Sequence, residues 1–115
     1  DPDDAQIVWD LASTCERELD DFGQARGYYR FLLENRPDFE FVKNGECLFR
    51  LAEIYLRLRE VMESLELYRR MRRDHSEHWV VKAEDGKHLK WRIEKCKHLA
   101  LGMGYQDLGR GPKDK

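Results

Sequence analysis

Apolar residues recur every three or four positions along most of the chain, and no stretch alternates regularly between apolar and polar residues. This spacing is that of one face of an α-helix. Five segments carry it, with apolar positions at Ile7, Val8, Leu11, Cys15 and Leu19; Phe22, Ala25, Tyr29, Leu32 and Leu33; Phe41, Leu48, Leu51, Ala52, Tyr55 and Leu58; Val61, Leu65, Tyr68 and Met71; and Val81, Leu89, Ile93, Cys96 and Ala100. The pattern therefore predicts an all-α protein of five helices.

Short connections between these helices predict antiparallel αα-hairpins, and the hairpins repeat. One offset of 39 residues places Trp9, Ala12, Ser13, Glu16, Ala25, Tyr29 and Pro37 on Leu48, Leu51, Ala52, Tyr55, Ser64, Tyr68 and Ser76. The same offset places residues 41–43 on residues 80–82, so a third unit begins without its second helix. We expect repeats at about residues 6–37 and 45–76, a closing helix at about 78–101, and a flexible tail at 102–115.

The second hairpin resembles the tetratricopeptide repeat family, in which a large residue, a leucine beside a small residue, a tyrosine, an alanine and an aromatic follow at fixed spacing. The first hairpin resembles it less closely, because Glu16 stands where a tyrosine belongs. The resemblance implies a short right-handed superhelix that binds partner peptides or helices on its concave face. The longer period, with the extra residues between Asp38 and Asn44, resembles bacterial members involved in envelope assembly.

The resemblance also implies which residues face the concave groove. One step from the buried positions, the three first helices contribute Asp10, Thr14 and Arg17; Phe49, Glu53 and Leu56; and Trp91, Lys95 and His98. The alternative for the aromatic pair is that Phe49 and Trp91 pack on each other inside the domain. Some family members bind a carboxylate-terminated tail through lysine and asparagine, but Asp10 stands at such a position and would repel it.

The length of 115 residues suits one domain, and no apolar run is long enough to cross a membrane. The net charge of −2 conceals a gradient, because residues 1–40 carry a net charge of −7 and residues 68–100 one of +5. The basic run Arg69, Arg70, Arg72 and Arg73 makes nucleic-acid binding an alternative function. Acidic residues around this run, such as Glu66, Asp74 and Glu77, interrupt the basic field, so we expect protein contacts instead.

Candidate catalytic and metal-binding residues are sparse. Cys15, Cys47 and Cys96 form no CxxC pair and are expected to be buried thiols, which favours a reducing compartment; a periplasmic location stays open if a signal was removed. His75 and His78 lack a third ligand, so we expect them at a helix end. No nucleophile has a base and an orienting acid at recognisable spacing, so we expect no enzyme, cofactor or metal.

These features predict a protein-binding scaffold whose partner is a protein or peptide. Self-association is an alternative, because an incomplete third repeat leaves one face of the closing helix uncovered, with Trp79, Val80 and Trp91 nearby.

Overall fold

The computed structural model describes residues 2–102, and the side chains of residues 4–102, as an all-helical chain without strands. Its α-helices are α1 (Pro2–Arg17), α2 (Phe22–Asn35), α3 (Glu40–Lys43), α4 (Glu46–Arg57), α5 (Val61–Asp74), α6 (Trp79–Lys82) and α7 (Lys87–Ala100). The all-α prediction is confirmed. Within residues 2–102, no helix has the length and hydropathy that crossing a membrane requires. Apart from Gly102, the predicted tail lies outside the described residues.

The long helices stack in the order α1, α2, α4, α5 and α7, each packed on the next. Small residues lie where the paired helices approach, with Ala12 and Ala25 fully buried in the first pair. In the second pair, the hydroxyl of Ser64 donates a hydrogen bond of 2.8 Å to the carbonyl oxygen of Ala52. These small side chains allow larger ones to fill the core, including Tyr29, Leu32, Leu48, Leu51, Tyr68, Met71 and Leu89.

Helix bounds and backbone angles recur at an interval of 39 residues. α5 begins and ends 39 residues after α2, and α6 follows α3 by the same interval. Asp20 and Arg59, which precede the second helices, have φ of 51° and 64°. Arg36 and His75, which follow those helices, share a φ of −132°. The two segments therefore use the same local backbone conformations.

Two predicted helices are interrupted by residues in the left-handed region. Gly45, with φ of 92°, separates α3 from α4. In place of one closing helix at about 78–101, the structure has α6, a 3-10 turn (Ala83–Gly86) and α7. Glu84, Asp85 and Gly86 all have positive φ in that turn, which a right-handed helix cannot accommodate.

The apolar pattern of α1 coincides only in part with its buried side. Ala5 and Ala12 are buried, whereas Ile7, Leu11 and Leu19 are exposed. The physical reason is that α1 ends the stack and packs chiefly on α2, touching α4 through Glu16. Sequence periodicity predicted the helix correctly, but it does not reveal that no second neighbour covers its outer side.

Candidate functional site

A buried tyrosine connects the first two long helices through Glu16 of α1. Tyr29 of α2 is fully buried, and its hydroxyl donates a hydrogen bond of 2.8 Å to Glu16 Oε1. Arg50 Nη1 of α4 lies 3.5 Å from Glu16 Oε2, while its Nε lies 3.1 Å from Glu46 Oε2. Burial raises the pKa of Glu16 above its ordinary value, although the Tyr29 hydrogen bond acts in the opposite direction. Glu16 therefore joins α1, α2 and α4.

A second network of the same kind is centred on Glu53 of α4. The hydroxyl of the fully buried Tyr68 donates to Glu53 Oε2, and Arg92 of α7 forms an ion pair with the same oxygen. Burial, followed by the charge of Glu53, raises the pKa of Tyr68, so its hydroxyl stays protonated. Burial opposes the charge of Arg92, but the Glu53 carboxylate and the Tyr68 oxygen outweigh it and raise the pKa of that guanidinium. Glu16 thus links α1 to α4, and Glu53 links α4 to α7.

Two adjoining clefts lie along these networks. One, of about 340 Å³, is lined by Glu16, Arg17, Asp20, Phe22, Arg50, Glu53 and Arg57. The other, of about 220 Å³, is lined by Glu53, Leu56, Arg57, Arg59 and Lys95. Because Glu53 and Arg57 belong to both, the clefts form one continuous surface, which we call the basic groove.

Three arginines give the basic groove its accessible positive charge. Arg17, Arg57 and Arg59 are exposed, and none forms an ion pair with a carboxylate of residues 4–102. The Arg57 guanidinium lies 5.2 Å from the centre of the Phe22 ring, an arrangement that orients the group without neutralising it. Since Glu16 and Glu53 already pair with Arg50 and Arg92, these three cations are available to an incoming anion.

Lys95 forms the end of the basic groove on α7. Its ammonium lies 4.7 Å from the centre of the Trp91 ring. Burial, followed by the charge of Arg92, lowers the pKa of Lys95 below its ordinary value. Trp91 and His98 are half-buried, and no described residue forms a hydrogen bond with Trp91 Nε1 or His98 Nδ1. The Trp91 ring therefore contributes to this end of the groove through its cation–π contact with Lys95.

Four of the nine residues expected at the concave face line the basic groove. Arg17, Glu53, Leu56 and Lys95 come together in the basic groove. Asp10 and Thr14 are exposed on α1 but line neither cleft. Asp10 Oδ1 instead accepts a hydrogen bond of 3.0 Å from Gln6 of the same helix.

Phe49 lies inside the domain and not on the groove. It is 6% exposed, and its ring neighbours are His78 at 5.3 Å and Trp79 at 5.5 Å between centroids. The guanidinium of Arg92 covers it at 5.3 Å. Packing inside the domain was the alternative considered for Phe49, with Trp91 as its partner. Phe49 does lie inside the domain, but its aromatic neighbours are His78 in the α5–α6 connection and Trp79 at the start of α6.

Sequence reasoning placed Arg17 on the groove, but it missed Arg57 and Arg59 and the role of Glu16. Glu16 was noted only as a departure from the tyrosine expected there. A signal was present in the tyrosines that recur at positions 29 and 68, because a buried hydroxyl needs a hydrogen-bond partner. Which carboxylate supplies it depends on the packing of α1 against α2 and of α4 against α5.

The histidine pair lies at a helix end, as expected. His78 Nδ1 accepts a hydrogen bond of 3.2 Å from the backbone N–H of Val80 at the start of α6, and its Nε2 lies 2.8 Å from Glu46 Oε1. In the described part of the chain, no three potential metal-ligating side chains cluster together.

The basic run on α5 is partly a structural element. Met71 is fully buried within it, whereas Arg69, Arg72 and Arg73 are exposed and Arg73 pairs with Asp74 at 3.0 Å.

No protein-family model, curated protein or solved structure matches this chain. What the protein binds must therefore be inferred from the charges and shape of its own surfaces.

Proposed function

We propose that the chain is a non-catalytic protein-binding scaffold of tetratricopeptide-like architecture. The hairpins α1–α2 and α4–α5, closed by α7, form two repeats of a short right-handed superhelix. The 39-residue recurrence of helix bounds supports this architecture. A recurrent cleft supports it as well, because a cleft lined by Ala5 and residues 35–40 has a counterpart lined by Asn44 and residues 74–79. Each of these residues in the second cleft stands 39 positions after its counterpart in the first.

The partner in this proposal is an acidic peptide or helix lying in the basic groove. The observation that carries it is the availability of Arg17, Arg57 and Arg59 in a groove whose glutamates are already paired. Guanidinium groups form strong, charge-assisted hydrogen bonds with carboxylates. Leu56 and Phe22 add apolar surface between the charges, which suits a segment that mixes acidic and apolar side chains.

A peptide-display selection on the immobilised protein tests this function. We expect enrichment of sequences rich in aspartate and glutamate, and roughly tenfold or greater weakening when Arg17, Arg57 and Arg59 are all changed to glutamate. The matched control changes Arg69, Arg72 and Arg73 to glutamate, which alters the net charge equally but lies outside the groove. Equal weakening by both triple variants, or no enrichment of acidic peptides, would contradict the proposal.

A further inference from the structure

The outer side of α1 exposes aliphatic surface at the end of the helical stack. Ile7 and Leu11, one turn apart, are 56% and 44% exposed. Residues four apart lie on the same side of a helix, so the two side chains are adjacent. Asp10 of the same helix and Glu18, which follows its last residue, are also exposed. We call these four residues the α1 outer strip.

The corresponding side of α4 has the opposite character. Thirty-nine residues after Ile7 and Leu11 stand Glu46 and Arg50, which pair with each other at 3.1 Å. That side of α4 is covered, since Arg50 Nη1 also lies 3.5 Å from Glu16 Oε2 of α1, and Glu46 Oε1 lies 2.8 Å from His78 Nε2. The covered side therefore carries charges, whereas the uncovered side of α1 carries aliphatic groups. Ends of helical stacks are normally polar, and contiguous exposed apolar surface marks an interaction site.

The other end of the stack has complementary chemistry. α7 packs on α5 through Leu89, Ile93 and Cys96. On the remaining part of α7, Lys87 and Lys90 are exposed, and Leu101, which follows the helix, is 77% exposed. Residues 68–100 carry a net charge of +5, against −7 for residues 1–40. The exposed lysines of the α7 end are thus opposite in charge to Asp10 and Glu18 at the α1 end, and Leu101 adds one exposed aliphatic side chain.

We propose that the α1 outer strip of one copy docks on the α7 end of a second copy, around Lys87, Lys90 and Leu101. Such a contact joins two different surfaces, so each docked pair retains one free α1 end and one free α7 end. Copies therefore add head to tail, and the assembly lengthens with concentration. This interface is separate from the basic groove and does not depend on the proposed function.

Sedimentation velocity of the 115-residue chain tests the interface directly. We expect the weight-average sedimentation coefficient to rise over about two decades of protein concentration, and to rise less in about 500 mM than in about 50 mM NaCl because salt screens the charges. Leu11→Glu should abolish this rise. Met62→Glu is the matched control, because Met62 is 60% exposed on α5, outside both ends. Circular dichroism spectra of the two variants should match that of the wild type.

A mixing experiment distinguishes head-to-tail docking from a symmetric α1–α1 contact. Leu11→Glu keeps an intact α7 end, and the double variant Lys87→Glu/Lys90→Glu keeps an intact α1 outer strip. Each should be monomeric alone, while their equimolar mixture should form dimers and nothing larger. Three results would overturn the proposal: a wild-type chain that stays monomeric throughout, a lysine variant that still assembles, or a mixture that stays monomeric.

Discussion

Replacing Gly45 with alanine should destabilise the protein more than the same change at Gly86. Gly45 immediately precedes α4 and Gly86 immediately precedes α7, and their φ angles are 92° and 87°. Their surroundings differ, however. A Cβ atom at Gly45 would lie 2.8 Å from His75 Cγ and 2.9 Å from His75 Cβ, whereas the nearest atom at Gly86 is the Val81 carbonyl oxygen at 4.0 Å. The Gly86 variant therefore isolates the backbone effect.

The magnitudes follow from two separate contributions. Placing an L-residue in the left-handed region costs about 1 to 2 kcal/mol at either glycine. Overpacking against His75 adds about 1 to 3 kcal/mol at Gly45 alone. We therefore expect a loss of about 2 to 5 kcal/mol for Gly45→Ala and about 1 to 2 kcal/mol for Gly86→Ala, measured by urea unfolding with linear extrapolation.

A double-mutant cycle with His75→Gly identifies the steric contribution. His75→Gly removes both contacting atoms, so Gly45→Ala should destabilise this background less than the wild type, by about 1 to 3 kcal/mol. Equal losses at the two glycines, together with no coupling between positions 45 and 75, would refute the inferred close approach.

Three further predictions concern packing, protonation and the alternative function. Because Ala52 is fully buried beside Ser64, Ala52→Leu should cost about 1 to 3 kcal/mol; an unchanged urea midpoint would mean that α4 and α5 do not approach there. Burial raises the pKa of Glu16 above its ordinary value. The folded state therefore binds a proton at Glu16 more tightly than the unfolded state does. The unfolding free energy of the wild type relative to Glu16→Gln should therefore fall as the pH rises above the ordinary glutamate pKa of about 4.3, and a rise in urea-unfolding measurements would contradict this. In fluorescence anisotropy, labelled single- and double-stranded oligonucleotides should not bind in the micromolar range at physiological salt; steeply salt-dependent binding that serine substitution of the basic run removes would favour the nucleic-acid alternative. That run is Arg69, Arg70, Arg72 and Arg73.

The sequence was most informative where local spacing and close packing impose the same requirement. The apolar spacing predicted α2 and α5, and Tyr29 and Tyr68 are fully buried within them. Ala52 and Ser64 were expected where paired helices touch, and the hydrogen bond between them places both at that contact. Small residues are needed wherever backbones approach, so residue size and spacing together predict this part of the packing.

The remaining features depend on which element lies next to which. Periodicity indicates that Ile7 and Leu11 share one side of a helix, but not whether a neighbour covers that side. Phe49 was expected on the groove, and it is buried because His78 and Trp79 fold over it from the connection after α5. Gly45 was recognised as a breaker, but its left-handed conformation, which separates α3 from α4, is not specified by residue type alone.

The charge of the groove also depends on pairing more than on composition. Arg17 belongs to the most acidic part of the chain, yet it lies in a groove where three unpaired arginines outnumber the one unpaired acid, Asp20, because Glu16 pairs with Arg50 and Glu53 with Arg92. The acids that remain unpaired on α1, such as Asp10, lie outside the groove clefts. Reversing the groove arginines should therefore weaken peptide binding while leaving head-to-tail assembly intact, and Leu11→Glu should do the reverse. Loss of both activities in either variant would mean that the two surfaces are coupled.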